Sequence, residues 1–204
     1  MELYDSEEQQ VEAIKNWWSE NGKAVIIGTV IGLGAILGWN YYQSSVQQAQ
    51  EAASEQYSKV IDTLVADGAD ATDKVQSFID GNSDTQYAVL AALQLSKAYV
   101  DADKLDNALE QLVWAKSHTD DEALTAILNY RIARIQAEQG NYSDAVTTLG
   151  AISDESWTGR VAELKGDIAL RQGDRDGAYA AYTEAQQASD AGSSLQMKLD
   201  DLAK

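Results

Sequence analysis

Enzymatic or metal chemistry in this chain would have to come from His118, its single histidine, and from two acidic doublets, Asp101-x-Asp103 and Asp174-x-Asp176. His118 lies in KSHTDD, a polar helix end where an imidazole complements the helix dipole more readily than it serves as a base. One His and no Cys can complete neither a catalytic triad nor a zinc site of the usual ligand types. Each doublet has the opening spacing of a calcium loop, but neither continues with the third ligand, turn glycine and distal Glu that such a loop needs. They read as turns. Phosphate-binding GxxxxGK[ST] and GxGxxG patterns do not occur. The expectation is a non-enzymatic protein without cofactor or metal, whose function is binding.

The elements that must position a binding surface begin with residues 24–39, AVIIGTVIGLGAILGW. This run holds no charged residue and no Pro, and eight of its residues are Val, Ile or Leu. Carried to Tyr41 it makes a helix of roughly 27 Å, enough for a hydrocarbon core of about 30 Å. Trp17 and Trp18 precede it, and Trp39, Tyr41 and Tyr42 close it, forming the aromatic belt expected at the two headgroup levels. A cleaved signal would need a shorter apolar core and a small-x-small site; here NYYQSSVQQAQ follows. Lys15 and Lys23 lie on the N-terminal side, and no basic residue follows the span before Lys59. The positive-inside rule then assigns 1–22 to the cytoplasm, 23–42 to the transmembrane helix, and 43–204 to the far compartment. Within the arm, Val11, Ile14, Trp17 and Trp18 share one helical face, with Asp5 or Ser6 as cap, which predicts an amphipathic helix at the membrane surface. Gly28, Gly32, Gly34 and Gly38 form two small-xxx-small pairs, the pattern by which a membrane helix admits a partner helix closely.

Beyond the span, 162 residues suffice for one domain with a real core. Six of the 33 acidic and two of the 15 basic residues precede residue 43, leaving this part with a net charge of −14. Such a surface repels phosphate backbones, so nucleic acid is excluded as a partner. The absence of Pro from all 204 residues fits an all-helical chain.

Nothing breaks the helix between Tyr42 and Gly68, so the span is expected to continue as a linker helix over 43–66. Helices are then predicted near 72–80, 84–100, 104–118, 121–139, 142–152, 156–172, 175–189 and 194–203, separated by Gly- and Asp-bearing breaks. Aligning KAYVDADKLDNALEQLVWAK, RIQAEQGNYSDAVTTLGAIS and DIALRQGDRDGAYAAYTEAQ reveals a repeat. Each copy has a turn, an alanine (Ala108, Ala145, Ala178), and four residues later a bulky group (Leu112, Leu149, Tyr182). Ser96, Ala133 and Gly166 hold the small position of the preceding helix, and Lys74 with Phe78 suggests a decayed fourth copy. Small residues let paired helices cross closely while the bulky one fills the gap between pairs. The repeats occupy about 72–190, and the final helix, with Leu195, Leu199 and Leu202 on one face, reads as a cap.

This pattern resembles the tetratricopeptide repeat, lacking its usual Trp and terminal Pro. The fold class is all-α: a transmembrane helix continuing into a tetratricopeptide-like solenoid of helical hairpins. In repeats of that kind, first-helix residues at fixed offsets line a groove. Carried over, the resemblance implies Leu93, Lys97, Val100 and Asp101, then Tyr130, Arg134 and Glu138, then Glu163, Asp167 and Arg171. The full layout also resembles the ancillary SecYEG translocon subunits of Gram-negative inner membranes. The acidic arm with its WW pair, EAASEQYSKVIDTL, NYRIARIQAEQGNYSDAVTTL and LKGDIALRQGDRDGAYAAYTEA carry the likeness. It implies an N-terminus in the cytoplasm and a periplasmic repeat domain. It also implies association with the SecYEG translocon, with the membrane-anchored periplasmic chaperone PpiD, and with unfolded exported polypeptides. A self-associating envelope scaffold with no role in secretion stands as the alternative.

Overall fold

The computed structural model describes residues 7–202, and its regular structure is helical throughout. The order is α1 (Glu7–Asp67), α2 (Thr72–Gly81), α3 (Gln86–Asp101), α4 (Leu105–Ser117), α5 (Glu122–Glu138), α6 (Tyr142–Gly150), α7 (Thr158–Arg171), α8 (Arg175–Gln187) and α9 (Leu195–Leu202). Short 3-10 turns, Gly68–Ala71 and Glu155–Trp157, lead into α2 and α7. Helices α2 to α9 begin and end within two residues of their predicted limits. The expected caps Asp5 and Ser6, and residue 203 of the last helix, lie outside the described residues.

By internal packing the chain forms two compact units, one ending at Ala52 and one beginning at Ala53. In the first, the apolar run lies within α1, the one described helix long and apolar enough to cross a membrane. Ile27, Val30, Ile31, Ile36 and Leu37 are each more than half exposed. Leaving such side chains in water forfeits roughly 1.5–3 kcal/mol apiece, so this surface belongs in lipid or against another helix. The one hydroxyl in the run is satisfied locally, Thr29 Oγ1 donating to the Val25 carbonyl at 2.8 Å. Trp18 folds back over Gly22, where a Cβ would come within 3.1 Å of the ring.

The second unit stacks the hairpins α3–α4, α5–α6 and α7–α8. Their turns share one geometry. Asp103 (φ 58°), Gly140 (φ 80°) and Gly173 (φ 82°) take the left-handed conformation. The next N–H then reaches back to the last turn of the preceding helix: Lys104 to Tyr99, Asn141 to Gln136, Asp174 to Ala169, at 2.8, 2.8 and 2.9 Å. This is the Schellman closure that favours glycine; the first hairpin achieves it with an aspartate.

Across each hairpin, small and large residues are matched in size. Ser96 faces Leu112, Ala133 faces Leu149, and Gly166 faces Tyr182, all but the last glycine being at most 2% exposed. The hydroxyl of Ser96, which would otherwise be an unpaired buried polar group, donates to the Ala108 carbonyl at 3.0 Å. Three core clusters follow along the stack: one from the end of α1 through α4 into α5, one between α5, α6 and α7, and one between α7, α8 and α9.

The decayed copy differs from the sequence reading. Lys74 is exposed, while Val75 and Ile79 are fully buried. Val75 and Ile79 are the fourth and eighth residues of α2, the places that Ala108 and Leu112 hold in α4. The register is therefore one residue later than the Lys74 alignment, because an ammonium cannot occupy the closed crossing point.

Candidate interaction groove

First helices α3, α5 and α7 carry the residues expected to line a groove, and the structure brings most of them together in two adjoining cavities. The larger, about 270 Å³, lies between α3 and α5 and is bounded by Lys97, Val100, Arg131, Arg134 and Glu138, with Leu105, Leu112 and Ile135 as apolar lining. The smaller, about 140 Å³, shares Arg134 and Glu138 and adds Asp167 and Arg171 of α7. Arg171 and Glu138 form an ion pair joining α5 to α7. The hydrogen bond that Arg171 donates to Glu138 holds the guanidinium pKa above its ordinary value. Lys97 pairs with Asp101 one turn along α3 at 3.0 Å, a surface pair worth a fraction of a kcal/mol. Arg131 and Arg134 make no hydrogen bond or ion pair among the described residues. In a chain of net charge −18, that leaves two cations beside an apolar floor.

Three expected residues sit differently. Leu93 is a core residue, 7% exposed, packed within the first cluster. Its side chain points into the α1–α4 core because α3 is apolar around most of its circumference, so a fixed offset does not distinguish groove from core there. Tyr130 is half-buried, its ring centroid 5.4 Å from that of Trp157, and burial pushes its hydroxyl pKa up. Glu163 is claimed from within the chain: its Oε1 lies 2.8 Å from Lys198 Nζ and accepts from Ser194 at 3.1 Å.

Lys198 anchors α9 on this face. Its ammonium also lies 2.6 Å from Asp167 Oδ1, which accepts a hydrogen bond from Tyr182 at 2.7 Å. Burial alone would lower the lysine pKa, but the hydrogen bonds it donates to Asp167 and Glu163 outweigh it and the net shift is upward. Burial, reinforced by the bond to Asp167, raises the Tyr182 hydroxyl. Sequence periodicity missed this clamp because its partners are 31 residues apart and polar.

On the span, a Cβ placed at Gly28, Gly32, Gly34 or Gly38 would meet nothing within 4 Å. The four positions are open in the chain by itself. Among the described residues no group of His, Cys, Asp and Glu is arranged to hold a metal ion.

A stack of helical hairpins, with cavities along its first helices and one apolar helix of membrane-crossing length earlier in the chain, defines a helical-repeat protein. A family model described as a tetratricopeptide repeat-like domain matches residues 15–204. The chain is 38% identical to the ancillary SecYEG translocon subunit of Escherichia coli K12, over the full length of both. It is 34% identical to the protein of the same name from Haemophilus influenzae, covering 95% of this chain and 93% of that one. It is also 34% identical to the one from Aggregatibacter actinomycetemcomitans, over 89% of each. The chain belongs to the family of ancillary SecYEG translocon subunits.

Proposed function

We propose that this chain is a non-enzymatic accessory subunit of the Sec protein translocon, held in the bacterial inner membrane by residues 23–42. Residues 1–22 lie in the cytoplasm and 43–204 in the periplasm. The glycine faces at Gly28, Gly32, Gly34 and Gly38 seat the span beside the channel. The groove around Lys97, Val100, Arg134 and Glu138 engages a membrane-anchored periplasmic chaperone of the PpiD kind, so that proteins leaving the channel are received at once. The observation that carries this reading is the likeness to relatives named as translocon subunits, which runs through the span as well as the repeats. Lysines at 15 and 23, with none from 24 to 58, support the orientation.

Photo-crosslinkers placed at Gly28 and Gly34 in growing cells test it. Adducts with translocon subunits are expected; adducts only between two copies of the chain would replace the reading with a self-associating scaffold. Protease added to spheroplasts should digest 43–204. Protection of that part until the membrane is opened would overturn the orientation.

A further inference from the structure

Helix α6 has 9 residues where α4 and α8 each have 13. The chain therefore leaves the middle hairpin about one turn early, and the first turns of α5 stand uncovered on that side. The result is a notch of about 670 Å³ walled by Ala123 and Ala126 of α5 and by Ala151 and Ile152 beyond α6.

In the third hairpin the same place is filled by the chain itself. The repeat offset that relates Ala133 to Gly166 also relates Ala126 to Gly159. Beside Gly159 the chain leaves α8 through its cap Ala188 (φ −81°, ψ 153°) and turns at Ser189 and Asp190. A Cβ on Gly159 would lie 3.1 Å from that of Ala188, and the Gly159 and Arg160 N–H groups donate to the Asp190 carboxylate at 2.7 and 3.1 Å. In the third unit this corner of the fold is thus closed by the chain itself, through a turn and its carboxylate.

Asn129 lines the notch, is 2% exposed, and its Oδ1 is buried without a partner. Its side-chain amide makes no hydrogen bond among the described residues. Ala92 and Ala162 hold the equivalent place in the other two units, both buried, so packing does not require an asparagine here. A buried unpaired amide is destabilising, and a carboxamide, being both donor and acceptor, is complementary to a peptide unit. Glu122 and Asp154 stand at the rim and add two carboxylates.

We propose that this notch binds a basic stretch of polypeptide, its main chain paired with Asn129 and its lysine or arginine side chains directed to Glu122 and Asp154. That the stretch belongs to a protein emerging from the channel rests on the function proposed above; the notch and its chemistry do not.

The test is fluorescence anisotropy on the full chain in detergent micelles, with two labelled 12-residue peptides. One alternates Lys with Thr and Ala; the other has Glu in place of Lys. Saturable binding of the Lys peptide is expected. Asn129→Ala should weaken it about tenfold, the net worth of one or two hydrogen bonds, without lowering the melting temperature. Ala123→Trp, which fills the notch from an exposed position, should do the same, while Arg134→Ala in the neighbouring groove should change it less than about twofold. The proposal is overturned by no binding, by wild-type affinity in Asn129→Ala, by a loss carried by Arg134→Ala, or by equal binding of the Glu peptide. Crosslinking from Gly28 and Gly34 reads the membrane partner separately, so either result can fail while the other stands.

Discussion

Gly166→Ala should unfold the repeat unit at a distinctly lower temperature although alanine is the better helix former. A Cβ at this position would lie 2.5 Å from Tyr182 Cδ1 and closer still to Cε1, against an ordinary contact near 3.5–4 Å. The ring cannot simply withdraw, since Tyr182 is 1% exposed and its hydroxyl is held by Asp167 at 2.7 Å. Crowding of this kind costs roughly 1–3 kcal/mol. Loss of the hydrogen bond adds about 1, and the alanine returns about 1 in helix propensity. The balance is about 2 kcal/mol, or roughly 4–8 °C for a unit of this size. The measurement is loss of circular dichroism at 222 nm on heating the full chain in mild detergent. A second change isolates the size matching, because Ala133 and Leu149 already show that an alanine notch suits a leucine. Tyr182→Leu alone leaves a void over Gly166 and should cost a further few kcal/mol. Adding Gly166→Ala to that variant should then lower the melting temperature no further, a coupling of roughly 1–3 kcal/mol between the two sites. If the two changes prove additive, the size matching across the hairpin is not what sets these residues, and the account of the repeat fails.

Asp103→Gly should stabilise the unit by roughly 0.5–1 kcal/mol, because the aspartate holds the left-handed φ of 58° that Gly140 and Gly173 hold without strain. Gly173→Ala should lower stability by about 1–2 kcal/mol, both read from the same melts. The pKa values of Tyr182 and Lys198 are both raised in the fold. Their contribution is therefore fully present below about pH 10, where the unfolded groups begin to titrate, and is lost as pH rises through the folded values. Melting temperature should fall as pH rises above about 10, and fall less steeply in a Tyr182→Phe, Lys198→Met variant; equal slopes would show that the clamp contributes nothing. Gly28→Leu or Gly32→Leu should reduce span crosslinking several-fold while leaving the repeat melt unchanged, since neither glycine touches anything within the chain.

How far the sequence disclosed the fold varies with the interaction. The hairpins were legible because their turns are written in Gly and Asp and their crossings in small and large residues, both local signals with a fixed period. The register of α2 was not, because an alanine-to-lysine comparison has no apolar residue to anchor it and only burial of Val75 decides the matter. On α5 Arg134 and Glu138 border the cavities at the repeat offset while Tyr130 packs on Trp157, and on α3 Leu93 enters the core, since α3 is apolar on its groove side as well as its core side. The Lys198 clamp and the orphaned amide of Asn129 depend on contacts between distant parts of the chain. A lysine in a capping helix and a lone asparagine within α5 look like solvated residues until the neighbouring helices are in place.

The stack explains why cavities and unpaired polar groups gather at its irregular places. Each core cluster joins neighbouring helices only, so a departure in one unit is tolerated by the others as long as its own crossing stays closed. Closing the crossing takes three positions: the small residue, the alanine and the bulky residue. The middle unit keeps all three, in Ala133, Ala145 and Leu149, each at most 1% exposed. It is therefore free to shorten α6 and to bury an asparagine without losing its place in the stack. The last unit spends its freedom differently, replacing the common pair with Gly166 and Tyr182 so that a hydroxyl reaches Asp167 and, through it, Lys198. That closes the α7 end of the groove with the chain's own helix and leaves Arg131 and Arg134 as the unpaired cations between α3 and α5. A partner that reads the groove must read it there.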